Sequence, residues 1–378
     1  MSASAMDPVL ARGERLLRVR DHMRNKGVDA LLLSLGADLP WLSGYEAMPL
    51  ERITMLVVPA DDEAILFVPE LEAPRVAHDE RLFAMRPWKE TEDAISLITE
   101  VVGARKALAI SDRCWAGHVL ALQDALPAAS WQPASSVTSP LRSVKDAAEI
   151  ASLEAAGAAA DRVAAALLGG EIALIGRQEA EVSKEIGERL VAEGHHRVNF
   201  AIVGSGPNSA SPHHEPGERR IGPREAVVCD FGGTYYLGDT VGYCSDITRT
   251  VFTGEPPAEF RDLYEVLEAA QASAVRAAVV GARCEAVDAI GREAIARAGY
   301  GDAFIHRIGH GIGIEEHEDP YMVAGNETAL EAGHAFSVEP GIYLAGRFGA
   351  RIEDIVVASH SGPVACNSAD HALHVLEV

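Results

Sequence analysis

The sequence predicts two domains of different class, an α/β domain over residues 1–142 and an α+β domain over residues 143–378. Three observations carry this. Apolar runs of strand length alternate with helical patterns as far as Ala125, the signature of an α/β layer. A Ser- and Pro-rich stretch, Gln132–Pro140, reads as a linker, and an Ala-rich helix follows it. Beyond that point long helices are mixed with strand-like segments of antiparallel type.

Residues 7–27 carry Leu10, Leu16, Leu17, Val19 and Met23 at helical spacing, and Gly27 is placed to end that helix. Asp29–Leu35 reads as a buried strand. Ile53–Pro59 and Ala64–Val68 read as two neighbouring strands around the turn-like Asp61-Asp62. Glu90–Val102 is a helix, Ala107–Ile110 a strand and Ala116–Ala125 a helix. In the second domain, helices are expected over Asp146–Leu168, Gln178–Glu193, Glu259–Val280 and Glu285–Ala298. Strands are expected over Val198–Val203, Ala226–Asp230, Cys244–Phe252, Ala335–Val338 and Ala350–Val357. Two helices followed by strands thus occur twice, around residues 150–252 and 259–357, which suggests a duplicated unit.

A chain of 378 residues can bury two cores, and its 48% hydrophobic and 24% charged residues are those of a globular protein. A formal net charge of −23 disfavours nucleic acid and anionic membranes as partners. The five cysteines, at 114, 229, 244, 284 and 366, include no CxxC pair and read as reduced thiols of a cytoplasmic protein. Met1–Pro8 shows no basic segment leading into an apolar run, so no secretory leader is expected. No stretch reaches the ~18 uninterrupted apolar residues of a membrane span.

Chemistry concentrates in the second domain. Arg307–Glu318 places His310 and His317 among Gly309, Gly311 and Gly313. Glycine permits sharp turns and close approach, and histidines held there suit metal binding or proton handling. Elsewhere acids interrupt strands that should be apolar: Asp230 ends Val227-Val228-Cys229, and Glu339 ends Ser337-Val338. Alternation puts Asp246, Thr248 and Thr250 on one strand face, and Arg351 with Glu353 on another. Taken singly, each acid reads as a strand-end or surface carboxylate. Taken together, they repel one another and need cations, and oxygen ligands with one imidazole suit Mn²⁺, Co²⁺, Fe²⁺ or Zn²⁺. Cys229 and Cys244 flank these acids and read as small core residues.

These motifs resemble the pita-bread-fold metallopeptidases, in the branch of Xaa-Pro dipeptidase (prolidase) and Xaa-Pro aminopeptidase. The resemblance runs from about residue 146 to the end. The first domain resembles the N-terminal domain of creatinase and prolidase, which methionine aminopeptidases lack. By this resemblance Asp230, Asp246, His310, Glu339 and Glu353 hold two divalent metal ions, with Mn²⁺ the first choice. It further implies that His213 contacts the substrate or tetrahedral intermediate, and that His317 contacts the substrate carbonyl. Glu339 would be general base and then proton donor, Arg351 would support the last ligand, and His306 would line the pocket. Asp239 lies in an unusually long Asp230–Asp246 segment and competes for assignment, but Asp230 has the better strand context.

The expected activity is hydrolysis of Xaa-Pro bonds in small peptides with proline second, most simply by a homodimeric dipeptidase. The compact first domain and total length favour a dipeptidase over an aminopeptidase acting on longer peptides. A metal-dependent hydrolase of non-peptide C–N bonds, or a non-catalytic peptide-binding module, are the rivals. An intact ligand set argues against the metal-free members of both kinds. Trp41, in Leu39–Tyr45, reads as core packing rather than as an aromatic offered to a pocket.

Overall fold

The computed structural model describes residues 7–377. The first six residues, part of the stretch read above as lacking a leader, lie outside the described residues. The chain forms two compact units. One runs to Arg142 and takes in Gly238–Val241; the other comprises Ser143–Leu237 and the chain from Gly242 onward.

The first unit is built on a six-stranded mixed sheet. Its strands are β1 (Ala30–Leu33), β2 (Met55–Pro59), β3 (Ile65–Pro69), β4 (Ala84–Trp88), β5 (Ala107–Ile110) and β6 (Ser130–Pro133), in the order β4-β3-β2-β1-β5-β6. β2 pairs antiparallel with β1 and β3, and the remaining pairs are parallel. Every residue of β1 and β2 is buried, as a sheet covered on both faces requires. Helix α1 (Pro8–Lys26) starts at an Asp7 cap and ends at Gly27 in the left-handed conformation. Its buried face differs from the one expected: Leu10 and Leu17 are exposed, while Arg12 and Arg15 turn inward. Arg12 pairs with Asp239, and Arg15 lies over the Trp41 ring at 5.6 Å. Trp41 sits in the short helix α2 (Asp38–Ser43), 1% exposed, as core packing predicts. Helices α3 (Ala94–Val102) and α4 (Ala116–Ala125) complete the layer.

The stretch read as a linker is ordered structure. It forms β6 and then helix α5 (Ser135–Arg142), despite Pro140 inside it. The polar residues that suggested a loop are instead tied down. Asp112 accepts from the backbone and hydroxyl of Ser135, and Asp38 accepts from Thr138 and pairs with Arg142. Tertiary hydrogen bonds outweigh the local turn preference of Ser and Pro.

The second unit contains helices α6 (Ala147–Leu168), α7 (Glu179–Ala192), α8 (Ala258–Ala277) and α9 (Cys284–Arg297). A capping box between Asp146 and Glu149 opens α6. One sheet combines β7 (His195–Ser205), β8 (Ala226–Tyr235), β9 (Tyr243–Cys244) and β10 (Ile247–Thr253) with a late strand. The other contains β11 (Gly309–Gly311), β12 (Glu318–Met322) and β13 (Ala335–Val338), followed by the hairpin β14 (Gly341–Leu344) and β15 (Phe348–Arg351), which stands apart as its own two-stranded sheet. β16 (Asp354–Val357) and β17 (Val364–Ala365) complete it, in the order β12-β11-β13-β16-β17, all antiparallel. The late strand, β18 (His374–Leu376), joins the first sheet beside β10, in the order β18-β10-β8-β7, with β9 on β8. Two sets, each a helix pair with a mainly antiparallel sheet, thus follow one another, as the repeated pattern suggested. The stretch 350–357, expected as one strand, is broken at Ile352-Glu353.

Each sheet packs under its helices. Phe260, Leu263 and Leu267 of α8 cover Phe336, Val338 and Val356, while Val163 and Leu167 of α6 cover Val227, Phe231 and Val251. His334 sits beside this core, 3% exposed. Its Nδ1 accepts the Glu331 N–H at 3.1 Å and its Nε2 faces Ser143 Oγ at 3.4 Å, so the neutral ring fits. Burial, then the charge of Lys145, pulls its pKa down to about 4. A ring that must stay neutral stabilises the fold above its unfolded pKa and loses that contribution as pH falls towards 4. Between pH 6.5 and 4 this residue is expected to remove about 3 kcal/mol. His334→Gln should therefore flatten the decline of urea midpoints across that window; equal declines in both proteins would refute the assignment.

Candidate active site

The residues that broke the strand pattern meet in one cavity of about 480 Å³. Asp230 lies inside β8, opposite Ile202 of β7 and Thr248 of β10. Asp246 lies between β9 and β10, and His310 is the middle residue of β11. Glu339 follows β13, its backbone N–H bonded to Ile308 O at 2.8 Å. Glu353 occupies the break between β15 and β16, where its N–H reaches Thr248 O at 3.2 Å. That bridge ties the two halves of the unit together at the site.

Of the two roles expected of the glycines, sharp turn and close approach, the structure shows the second at Gly309 and Gly311. Gly309 and Gly311 lie in an extended strand with negative φ. A Cβ on Gly309 would fall 1.9 Å from Ser337 O, and one on Gly311 would fall 2.2 Å from Asp319 O. Their role is close approach of β11 to its neighbours, which brings His310 beside Glu339.

The donor set suits divalent cations. Ligand atoms of Asp246, His310 and Glu353 all lie within 4.8 Å of one another. His310 Nδ1 faces the Gly311 carbonyl at 3.1 Å, which puts the proton there and turns the Nε2 lone pair inward. Nε2 stands 3.2 Å from Glu339 Oε1 and 3.8 Å from Asp246 Oδ2. A proton or a cation between Nε2 and Oε1 satisfies a contact of 3.2 Å, and metal–ligand bonds of roughly 2.0–2.2 Å give about that spacing. Asp230 Oδ1 and Asp246 Oδ1 are buried with no hydrogen-bond partner. Burial raises the pKa of Asp246 and Glu353 strongly, and repulsion among the acids adds to it; Asp230 rises for the same reasons with Arg351 opposing. Glu339 alone among the four acids is held low, down to about 2: burial opposes its charge, but the close contact with His310 and the nearby Arg351 outweigh it. The fixed charge of Arg351 cannot balance four carboxylates, and added cations can.

Polar contacts fix the remaining ligand oxygens. Thr248 Oγ1 donates to Glu353 Oε2 at 2.6 Å, and Ser337 Oγ to Glu339 Oε1 at 3.0 Å. Arg351, 2% exposed, donates to Asp230 Oδ2 at 2.6 Å, Thr248 Oγ1 at 3.0 Å and Tyr343 OH at 2.8 Å.

Residues 151–360 match metallopeptidase family M24, and residues 15–144 match the creatinase/prolidase N-terminal domain. The chain belongs to metallopeptidase family M24. Over 356 residues it is 43% identical to a probable dipeptidase PepE of Mycobacterium tuberculosis, covering 93% of each chain. The crystal structure of dipeptidase PepE from Mycobacterium ulcerans is similar with a TM-score of 0.91 and 41% identity, covering 98% of this chain and 99% of that one. A prolidase from Thermococcus sibiricus is similar with a TM-score of 0.90 and 34% identity, covering 99% and 100%. This M24 chain is therefore a metallopeptidase with the two-domain pita-bread architecture, and the family implies divalent metal ions.

All nine site candidates of this metallopeptidase line the cavity: Asp230, Asp246, His310, Glu339, Glu353, His213, His317, His306 and Arg351. The neighbours His213 and His214 separate clearly. His213 faces the cavity, whereas His214 is held by the buried Glu179 at 2.8 Å. Glu179 also accepts from Ser205 and Asn208, which fixes the loop bearing His213. His317 packs on His310, ring centroids 3.9 Å apart, and burial with its cationic neighbours lowers its pKa to about 4. Asp239 is paired with Arg12 and does not line the cavity. Cys229 and Cys244 are fully buried.

Sequence reasoning missed Tyr343, Arg307 and Glu316. Tyr343 OH lies between Arg351 and His306 Nε2, at 2.8 and 3.0 Å, and burial raises its pKa to about 12. Its spacing from Glu339 carries no periodic signal. Arg307 and Glu316 fall inside the stretch that carries both histidines, where proximity was the available clue.

Proposed function

We propose that this metallopeptidase hydrolyses Xaa-Pro dipeptides with two divalent cations held by Asp230, Asp246, His310, Glu339 and Glu353. The supporting observation is the convergence of these five donors in one cavity, with unpartnered oxygens on Asp230 and Asp246. The likeness to a prolidase and to dipeptidases favours short peptides with proline second over longer ones. Bound there, divalent cations supply Lewis acidity at the scissile carbonyl and lower the pKa of water.

The side chains do the rest. His317, neutral because of its lowered pKa, donates to the developing oxyanion, and His213 does so from the 205–214 loop. Such a donor is worth ~10²–10³ in rate. Glu339 takes the proton of the attacking water and returns it to the leaving nitrogen. Arg351 fixes Asp230 and, through Tyr343, the His306 ring. Phe200 and Ile202 form an apolar wall that suits a pyrrolidine ring.

In this reading residues 1–142 and 143–378 are the two domains, the protein is a cytoplasmic homodimer, and Mn²⁺ is the working ion. No helix among the described residues is long and apolar enough to cross a membrane. The deciding experiment is a panel of Ala-Pro, Ala-Pro-Ala and Ala-Ala with Mn²⁺, Co²⁺ or Zn²⁺ restored to stripped protein. Ala-Pro should be cleaved fastest, and with Mn²⁺. Cleavage of the tripeptide alone would make the chain an aminopeptidase, and cleavage of neither proline peptide would end the proposal.

A further inference from the structure

Gly313, the third glycine of the stretch that carries both histidines, leaves room for a buried ion pair. A Cβ there would collide with Glu318 Oε1 and would stand 3.1 Å from Lys145 Cε. Lys145 Nζ donates to the same Glu318 oxygen, across 173 residues of chain, and the two side chains are 1% and 8% exposed. Taking two charges out of water costs about as much as their attraction returns, and well-packed apolar side chains of that volume would serve stability as well. An ion pair differs from apolar packing in direction: the ammonium fixes where one carboxylate oxygen lies.

The lysine stands on a fixed base. Its backbone N–H donates to Gly333 O at 2.8 Å, Val144 bridges to His334, and Asp146 caps α6. The glutamate opens β12, opposite Gly311 of β11. In the loop between them, Ile312 N–H donates to Ala335 O at 3.2 Å and Gly313 O accepts from Cys244 N–H at 2.8 Å. Among the described residues no backbone hydrogen bond outside the strand ladders reaches Glu316 or His317. Glu318 is thus the fixed residue next to His317. His317 lines the cavity and Glu318 does not, as neighbours at the start of a strand face opposite ways.

We propose that Lys145 is a positioning residue for the hydrolysis: through Glu318 it sets where the His317 ring stands. This rests on the proposed function, in which His317 donates to the developing oxyanion. The His317 ring is otherwise held by its stack on His310, centroids 3.9 Å apart, and by one long contact with Arg307 Nη2 at 3.4 Å. Neither is strongly directional. An oxyanion donor acts only at hydrogen-bond distance from the oxygen, and a misplacement of about 1 Å costs ~10²-fold in rate. Lys145 does not line the cavity, and among the described residues its ammonium bonds Glu318 and no metal donor. Its influence on the reaction therefore passes through Glu318 to His317.

The test is a double-mutant cycle on Ala-Pro with metal-loaded protein, using Lys145→Met and His317→Ala. Lys145→Met should lower kcat about 10- to 100-fold, with KM and metal per protein little changed. In the His317→Ala background the same substitution should lower kcat no further, because the residue it acts through is gone. Lys145→Met with Glu318→Leu removes the stranded carboxylate, so it should regain the wild-type urea midpoint and stay slow. Losses that multiply in the cycle would overturn the proposal. So would wild-type kcat in Lys145→Met or in His317→Ala, a fall in metal content, or a Met/Leu variant that recovers kcat along with its midpoint. If Lys145→Met fails to fold, the Met/Leu variant takes its place in the cycle. If wild type cuts Ala-Ala but no proline peptide, only the proline reading falls, and the cycle on Ala-Ala decides Lys145. Wild type that cuts no dipeptide under any metal overturns both.

Discussion

Glu339→Ala is expected to lower kcat on Ala-Pro by at least ~10³-fold at saturating metal, within the range for loss of a general acid–base. It should also lower metal content, because the same carboxylate faces His310 Nε2 at 3.2 Å. Glu339→Gln separates the two roles: an amide oxygen can still ligate, but it cannot carry the proton. Metal per protein from elemental analysis should therefore fall for the Ala variant more than for the Gln variant, with turnover lost in both. A Gln variant that keeps wild-type kcat would remove Glu339 from the proton path.

Arg249→Met is expected to destabilise the protein by about 3–5 kcal/mol, the cost of leaving a buried charge uncompensated. Arg249 is fully buried and bonded to the carbonyls of Thr248, Glu353, Ala369 and Asp370 as well as to Asp354 Oδ1. Its removal strands Asp354, which keeps Gln271 at 2.9 Å and His371 at 2.6 Å but loses its fixed countercharge. Combining Arg249→Met with Asp354→Leu removes the stranded charge, so the double variant should recover part of the loss in urea unfolding. A single variant as stable as wild type would show that the carbonyl bonds carry no net stability.

The donors could be read from sequence because each puts a charge where an apolar strand residue belongs. Asp230, Glu339 and Glu353 stand out against Val227-Val228, Val338 and Ile352 without any knowledge of what faces them. Periodicity likewise found the long helices, whose buried faces recur every three or four residues. What it could not supply was long-range. Gln132–Pro140 looked like a linker because Asp112 and Asp38, which order it, lie about 20 to 100 residues away. Gly309 and Gly311 fitted a turn as well as a close approach because nothing local reveals the carbonyls of Ser337 and Asp319 that exclude a side chain. Arg307 and Tyr343 acquire meaning only from the groups that surround them in the folded chain. The inward turn of Arg12 and Arg15 on α1 is of the same kind: an amphipathic pattern marks charge as outward unless a partner such as Asp239 is known.

The clamp made by Arg249 sets a timetable. Translation delivers all five donors, from Asp230 to Glu353, before it delivers Ala369 and Asp370, whose carbonyls hold that arginine. The same late segment supplies His371 to Asp354 and β18 to the edge of β10. Until that late segment docks, Arg249 lacks two of its carbonyl partners and the bridge between Thr248 and Glu353 lacks the clamp that holds it. The C-terminal segment, remote from the cavity in sequence, is thereby the last part of the chain needed to complete its scaffold.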